Sequence, residues 1–252
     1  MKKNNEKKSG LIIMIVVMSL LCLLSCQKEY GKYAGKVTDY DGNTYKTVKI
    51  GDQVWMAENL RTTHYADGTS IALGSSTSTT TAYRYYPNND QFNVSTYGYL
   101  YNWKAVTRDS TGAKIQGICP DGWHVPSYRE WKKLIDYVGS RSEYVCDGDT
   151  NTNHIAKALA ATVGWNSSTN KCAVGNNPSA NNATGFSAFP AGFYCGSHND
   201  NYTAFGYYAY FWSGTRFLPG GINYVLDYNS ANIDVQFSSD YIYGFSVRCI
   251  HD

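Results

Sequence analysis

The sequence lacks the short motifs that bind zinc or carry out thiol redox chemistry. Its 252 residues include seven cysteines but no CxxC pair, and its five histidines show no HxH or HExxH spacing. The 20 aspartates and glutamates are dispersed, so no two can be assigned as the acid and base of a glycoside hydrolase. No long repeat is visible, which argues against solenoids and propellers. We therefore expect no cofactor and no catalytic set.

Charged residues are also scarce, at 17% of the chain, and they leave no basic excess. Removing the four lysines and one glutamate of residues 1–25 from the 22 basic and 20 acidic residues leaves 18 basic and 19 acidic ones. Such a balance provides no positive field, so nucleic acid is not an expected partner. The 23 tyrosines are instead typical of secreted β-rich modules with long ordered loops.

The N-terminus has the features of a bacterial lipoprotein signal. Four lysines precede the apolar run LIIMIVVMSLLCLL, which is short for a membrane span of about 20 residues. The run ends at LLSC, where Cys26 occupies the position of the lipidated cysteine of a lipobox. We predict a signal peptide over residues 1–25, a lipidated tether over 26–33 and one domain over 34–252. The alternatives are an ordinary secretory signal or an uncleaved anchor.

Two further short sequence motifs bear on localisation. Gln27-Lys28-Glu29 resembles the surface-export signal of Bacteroidota lipoproteins, although a plain solvated tether explains it equally well. Asp109-Ser110-Thr111 resembles the O-glycosylation motif of exported proteins in the same group, which makes Ser110 a candidate for modification. We expect a cell-envelope protein that is held on the outer membrane by its lipid and exposed at the surface.

The domain itself has an α+β pattern that begins with a β-meander. Asp41-Gly42 and Gly51-Asp52 are turn signals between runs of alternating apolar residues. After the helical region, the chain continues in aromatic-rich segments separated by long loops, which we interpret as β-strands.

Two helices are predicted in the middle of the domain. Ser127 and Glu130 form a capping box, and Gly139 is expected to end the helix that follows. Its apolar positions have the spacing of a buried stripe: Trp131, Leu134, Ile135 and Val138. A second helix is expected in HIAKALAAT, residues 154–162.

Cys119 and His124 lie directly before the first of these helices, in CPDGWHVPSYREW. A nucleophilic cysteine needs a base within hydrogen-bond reach, and His124 is the nearby candidate. Pro120 and Pro126 make the segment a stiff turn, however, and disulfides are the default state of cysteines in an oxidising envelope. We therefore favour a structural corner over a catalytic thiol.

Two other groups of residues are weak candidates for binding. Alternating polar residues resemble the first ligands of a calcium loop: Asp147, Asp149, Asn151 and Asn153. Thr152 stands where that loop needs glycine, so a polar insertion between helices is favoured. The second group is aromatic. Tyr208, Tyr210 and Trp212 share one face of a predicted strand and could bind sugar or protein, although one face of that strand is expected to be core.

Six segments, in order along the chain, carry a family resemblance: VKIGDQVWMAENL, YGYLYNW, CPDGWHVPSYREWKKL, TGFSAFPAGFY, FWSGTR and GFSVRC. Together they resemble the FISUMP family, the Fibrobacter succinogenes major paralogous domain, which is common in Bacteroidota lipoproteins. The resemblance extends from about Gly35 to Asp252 and implies no established activity. The family is similar in turn to C-type-lectin-like and formylglycine-generating-enzyme-like folds, so the resemblance implies a single C-type-lectin-like domain.

The resemblance also pairs Cys119 with Cys249 of the last strand. For the second bridge we expect Cys146–Cys172, because both lie in polar loops beside the alanine-rich helix; the alternative is Cys172–Cys195. The paired oxidase cysteines of formylglycine-generating enzymes are missing. The sequence also lacks three motifs of calcium-dependent lectins: Glu-Pro-Asn, Gln-Pro-Asp and Trp-Asn-Asp. Neither copper chemistry nor calcium-bridged sugar binding is therefore expected.

The leading interpretation is a non-catalytic recognition or adhesion domain whose partner is a glycan or another surface protein. The alternatives are a hydrolase or oxidase with a site assembled from loops, and a structural subunit of a surface assembly. Both alternatives remain open at the level of sequence.

Lipidation gives the first testable prediction. A Cys26→Ala variant should lose acylation, because no thiol remains to accept the lipid, and should accumulate as a slower-migrating precursor. Metabolic labelling with a fatty acid and gel mobility measure both effects. Normal processing of the variant would contradict the lipobox assignment.

Overall fold

The computed structural model describes residues 34–146, 153–196 and 202–252. The predicted signal peptide, the tether with Cys26, and the calcium candidates Asp147, Asp149 and Asn151 lie outside these residues. Within them the chain is mixed α+β, with several small sheets and few helices.

The strands are numbered in chain order: β1 (Gly35–Thr38), β2 (Thr44–Ile50), β3 (Gln53–Met56), β4 (Ala72–Leu73), β5 (Tyr83–Tyr85), β6 (Leu100–Tyr101), β7 (Trp123–His124), β8 (Phe193–Tyr194), β9 (Tyr202–Thr203), β10 (Tyr208–Phe217), β11 (Gly220–Asp227), β12 (Ile233–Ser239) and β13 (Ile250–His251). The α-helices are α1 (Val94–Tyr97), α2 (Trp103–Thr107), α3 (Tyr128–Gly139) and α4 (Ala156–Leu159). Short 3₁₀ turns cover Pro87–Asn89, Gln91–Asn93 and Pro178–Ala180. In the described part of the chain, no helix has the length and apolar character needed to cross a membrane.

The predicted meander forms one half of the largest sheet. Strands β1, β2 and β3 pair antiparallel, and β13 joins β3 so that the sheet order is β1-β2-β3-β13-β7. Gly42 and Gly51 take left-handed φ values of 81° and 63° in the two turns, which explains why glycine occupies both positions. The last strand of the chain therefore lies in the middle of the first sheet.

Helix α3 begins as predicted and ends differently. The Ser127 hydroxyl accepts from the Glu130 N–H, and the Glu130 carboxylate accepts from the Ser127 N–H, so the capping box is complete. Trp131, Leu134 and Val138 are buried, while Ile135 is half-buried against the same core. Gly139 is the last helical residue rather than a left-handed stop, because Ser140 continues in right-handed helical geometry and caps the helix.

The second helix is shorter than predicted. Helix α4 is one turn over Ala156–Leu159, not a helix over residues 154–162. Ala160 adopts extended geometry and forms a parallel bridge with Ala188. The small alanines thus allow close approach of the neighbouring backbone, and pairing with it ends the helix early.

The long hairpin β10–β11, extended by β12, separates two hydrophobic cores. Phe211 points into the core that contains Trp131 and Tyr224, whereas the adjacent Trp212 points into the core that contains Trp103 and Phe245. Strand β3 divides its residues in the same way, with Trp55 in the first core and Met56 in the second. Both faces of these strands are therefore buried.

Both predicted cysteine pairs lie at disulfide distance. Cys119 and Cys249 are bridged with their Cα atoms 5.9 Å apart, and Cys146 and Cys172 with theirs 5.7 Å apart. The first bridge is fully buried and joins the turn before β7 to the segment before β13. Cys195 lies outside both bridges, so the alternative Cys172–Cys195 pairing is not the one adopted.

Arg248 is the most unusual core residue, since its side chain is fully buried without a carboxylate partner among the described residues. Its Nε donates to the Asn59 side chain at 2.7 Å. Its terminal nitrogens donate to three backbone carbonyls, those of Met56, Phe186 and Ser187, at 2.9, 2.5 and 2.6 Å. Burial lowers the pKa of this guanidinium to about 9, while the charge of Glu58 acts in the opposite direction. The guanidinium also lies 4.7 Å from the Phe186 ring centroid.

Replacing Arg248 should therefore destabilise the domain strongly. An Arg248→Met variant keeps much of the volume but leaves three carbonyls and the Asn59 oxygen without this donor, so we expect a loss of about 3 kcal/mol or more. Denaturant unfolding under non-reducing conditions gives the free energy. The matched control is Arg129→Met on the exposed face of α3, which should change stability by less than about 0.5 kcal/mol. Equal stability of the two variants would contradict the anchoring role of Arg248.

Candidate functional site

A partly enclosed cleft lies between the end of α2 and the hairpin β10–β11. Its volume is about 260 Å³. The lining combines aromatic, hydroxyl and charged side chains with two glycines: Thr79, Trp103, Thr107, Asp109, Ser110, Thr111, Gly112, Gly214, Arg216 and Tyr241. The volume is slightly below that of typical drug-sized pockets, so the cleft has room for a small ligand only.

Trp103 forms the apolar floor of the cleft. It is the first residue of α2 and only 9% exposed. Its ring meets Trp212 edge-on, with centroids 5.1 Å apart, and lies at 5.1 Å from the Tyr241 ring. Gly221 makes this packing possible, because a Cβ atom there would lie 2.6 Å from the Trp103 ring.

Asn102 fixes the position of this floor. It is fully buried and caps α2, with its Oδ1 accepting from the Ala105 N–H at 3.1 Å and from the Tyr83 N–H at 3.0 Å. Its Nδ2 donates to the carbonyls of Ser78 and Thr81 at 2.9 and 2.8 Å. One side chain thus holds both the start of α2 and the loop that carries Thr79 into the cleft.

Arg216 and Tyr241 form the polar wall. The pairing of β10 with β11 shifts register between Trp212 and Arg216, and such irregularities re-aim side chains next to functional sites. The Arg216 Nε donates to the Tyr241 hydroxyl at 3.0 Å, and that hydroxyl donates to the Gly220 carbonyl at 2.8 Å. The tyrosine therefore ties the arginine to the hairpin backbone.

The opposite rim is a tight corner after α2. Arg108 and Asp109 both adopt left-handed geometry, with φ values of 53° and 59°, which is costly for residues with a Cβ atom. The corner turns Asp109 towards Lys104, with which it forms an ion pair, and exposes Ser110 at the cleft. Exposure makes Ser110 accessible to modification; its O-glycosylation stays a prediction.

The predicted aromatic binding face is only partly accessible. Trp212 is fully buried, because it packs beneath Trp103 and donates from Nε1 to the Tyr101 carbonyl at 2.8 Å. Trp212 therefore lies in the core and supports the cleft floor from below. Tyr208 and Tyr210 are half-buried, and Tyr210 stacks on Phe245 at 4.9 Å; neither lines this cleft.

Cys119 and His124 both make buried contacts at their corner. Cys119 is in the buried disulfide, and the His124 ring lies between two carboxylates, with 2.7 Å from Nε2 to Glu130 and 2.7 Å from Nδ1 to Asp252. Burial alone would raise the pKa of Glu130, but hydrogen bonds from His124 and Ser127 outweigh it, so the pKa is lowered. Through His124, Asp252 is thus linked to Glu130 in the first turn of α3.

No metal site emerges among the residues that the structure describes. No group of three or more histidine, cysteine, aspartate or glutamate side chains is arranged to hold an ion there. Asn153 is the one calcium candidate within the described ranges, and it lies just before α4.

Three residues define the cleft, and none of them is among the site candidates predicted from the sequence: Trp103, Arg216 and Tyr241. A signal was present for two of them, since YGYLYNW ends at Trp103 and FWSGTR ends at Arg216. These segments carried the family resemblance, but nothing in their local pattern indicated that they meet. Tyr241 lies in no such segment and becomes visible only through the fold.

The family model described as the Fibrobacter succinogenes major domain matches residues 48–251, which is most of the chain. No curated protein and no solved structure matches the chain.

The role of Asn102 can be tested by stability. Asn102→Ala removes the helix cap and the loop donors together, so we expect a loss of roughly 2–4 kcal/mol in the free energy of unfolding. The matched control is Asp90→Ala, since Asp90 caps an exposed 3₁₀ turn through the Phe92 N–H, and its loss should cost about 1 kcal/mol or less. Similar losses for both variants would mean that Asn102 acts only as a cap.

Proposed function

The chain belongs to the Fibrobacter succinogenes major domain family, and on that premise we propose that it is a lipid-anchored protein of the outer membrane whose surface-exposed domain recognises glycans without catalysis. A protein partner in adhesion is the alternative within the same class.

The anchor rests on the LLSC motif at Cys26 and on the apolar run before it. Lipid on Cys26 would leave the domain connected to the membrane through residues 27–33. At about 3.3–3.6 Å per residue, this tether holds the domain within roughly 25 Å of the bilayer. A recognition domain at that distance can contact material bound at the cell surface.

A C-type-lectin-like arrangement is the fold type that we propose for the domain. Two features support it: the final strand β13 inserts between β3 and β7, and the buried Cys119–Cys249 bridge joins that end of the chain to the turn before α3. Long irregular segments between the sheets then present side chains at the surface.

The composition of the cleft is the observation that carries the glycan proposal. Trp103 and Tyr241 supply apolar ring surface, while Thr79, Ser110 and Thr111 supply hydroxyl groups at the rim. Sugars present alternating apolar faces and hydroxyl edges, so a small cleft with both kinds of wall matches them. The aromatic floor is held rigidly, which reduces the ordering cost of binding.

A blocking variant tests this function. The full chain, purified in detergent, is applied to a carbohydrate array, and bound saccharides are then measured by titration. Thr79→Trp should fill the cleft and weaken binding about tenfold or more, because Thr79 lies on the rim and is exposed. Thr96→Trp, at an exposed position of α1, should leave binding unchanged.

Two outcomes would contradict the proposal. Binding of no saccharide by the full chain would remove the glycan function, and equal binding by Thr79→Trp would place it outside this cleft. Release of new reducing ends from a bound saccharide would show catalysis and favour the hydrolase alternative.

A further inference from the structure

We propose that the cleft selects acidic saccharides, with the carboxylate of a uronic acid residue bound by Arg216. This inference rests on the proposed glycan-binding function and adds the chemical class of the ligand.

The first observation is that the guanidinium of Arg216 is held in place but little used. Its Nε donates to the Tyr241 hydroxyl at 3.0 Å, and its Cζ lies 5.7 Å from the Tyr241 ring centroid. Its terminal nitrogens have no hydrogen bond or salt bridge to any residue that the structure describes. A guanidinium carries five N–H donors in a fixed plane, so four donors remain for a ligand. Their fork geometry matches the two oxygens of a carboxylate.

The second observation is the charge balance of the cleft. Asp109 is the only acidic residue in the lining, and it is paired with Lys104. The positive charge of Arg216 is therefore not offset within the cleft. A ligand with a negative charge gains from this arrangement, whereas a neutral sugar leaves the arginine facing solvent.

The third observation separates an acidic sugar from a simple anion. The cleft holds about 260 Å³, and its floor and part of its wall are aromatic rings. An inorganic anion would contact Arg216 and leave the Trp103 floor uncovered. A pyranose ring that bears a carboxylate can contact the arginine, the rings and the rim hydroxyls together.

The tie between Tyr241 and the hairpin orients the arginine for this contact. The Tyr241 hydroxyl accepts from Arg216 and donates to the Gly220 carbonyl at 2.8 Å, so the Nε edge of the guanidinium faces the protein. The edge with the terminal nitrogens is left for a ligand. Pre-orientation of this kind improves affinity because less side-chain freedom is lost on binding.

The test compares two ligands that differ only in the carboxyl group. Oligogalacturonates and oligoglucuronates are titrated separately into the full chain in detergent, and each is compared with its carboxyl-reduced counterpart, in which the acid is an alcohol. We expect at least one acidic form to bind about tenfold or more tightly than its reduced form. This difference in affinity should shrink at high salt, because the Arg216 side chain is exposed and salt screens its charge.

The variants assign the effect to one residue. Arg216→Gln should abolish the preference by weakening the acidic form to the level of the reduced form. Arg216→Lys should keep part of the preference, since the charge remains but the two-pronged geometry does not. The control Arg129→Gln removes an exposed arginine of α3 and should leave the preference intact.

Several outcomes would overturn the inference. These are equal binding of the acidic and reduced forms, a preference that survives Arg216→Gln, binding of neither acid, and displacement of the saccharide by acetate as effectively as by the free uronic acid. If neutral saccharides bind and Thr79→Trp blocks them, the glycan function stands while the acidic class fails, so the two failures are distinguishable.

Discussion

Arg248 carries a positive charge into the centre of the domain, and the surrounding chain is placed so as to satisfy it. Its donors reach the end of β3 through the Met56 carbonyl and the loop before β8 through the Phe186 and Ser187 carbonyls. Asn59 provides the remaining acceptor. A buried guanidinium without these acceptors would cost several kcal/mol, so the segments that supply them cannot separate independently. Segments distant in sequence are thereby fixed to the end of the chain.

The cleft depends on the same end of the chain. Arg248 lies next to Cys249, whose bridge to Cys119 holds the terminal segment in the second core. Phe245 of this segment packs against Trp212 with centroids 4.5 Å apart, and Trp212 supports Trp103 in turn. A continuous series of packed rings therefore connects the anchored terminus to the floor of the site.

Local features of the fold could be predicted because their causes are local. The capping box of α3 and the glycine turns of the meander depend on residues within a few positions of one another. The length of α4 could not be predicted in this way, because the helix ends where Ala160 pairs with Ala188, a distant residue. The end of α3 differed for a smaller reason, since Gly139 is compatible with right-handed geometry as well as left-handed.

The site was harder to foresee than the fold. Alternation along β10 placed Tyr208, Tyr210 and Trp212 on one face of the strand. Alternation cannot show which face is exposed, and here both faces pack against hydrophobic cores. Because the strand register shifts before Arg216, the direction of this side chain does not follow from simple alternation along β10. Tyr241 joins Arg216 only because a loop after β12 returns to the hairpin, and no periodicity encodes such a return.

Asparagine side chains explain how so irregular a domain can hold a defined cleft. Backbone groups in loops lack the partners that sheets and helices provide, and burial without a partner is costly. Asn102 satisfies four such groups around α2, and Asn181 donates to the carbonyls of Ala161 and Val174, both at 3.1 Å. Asn59 similarly donates to the Tyr97 carbonyl at 2.8 Å while accepting from Arg248. These side chains act as cross-links between segments that lack regular secondary structure. Of these side chains, Asn102 is the one that fixes the cleft, because it holds the loop of Thr79 against the start of α2, where Trp103 forms the floor.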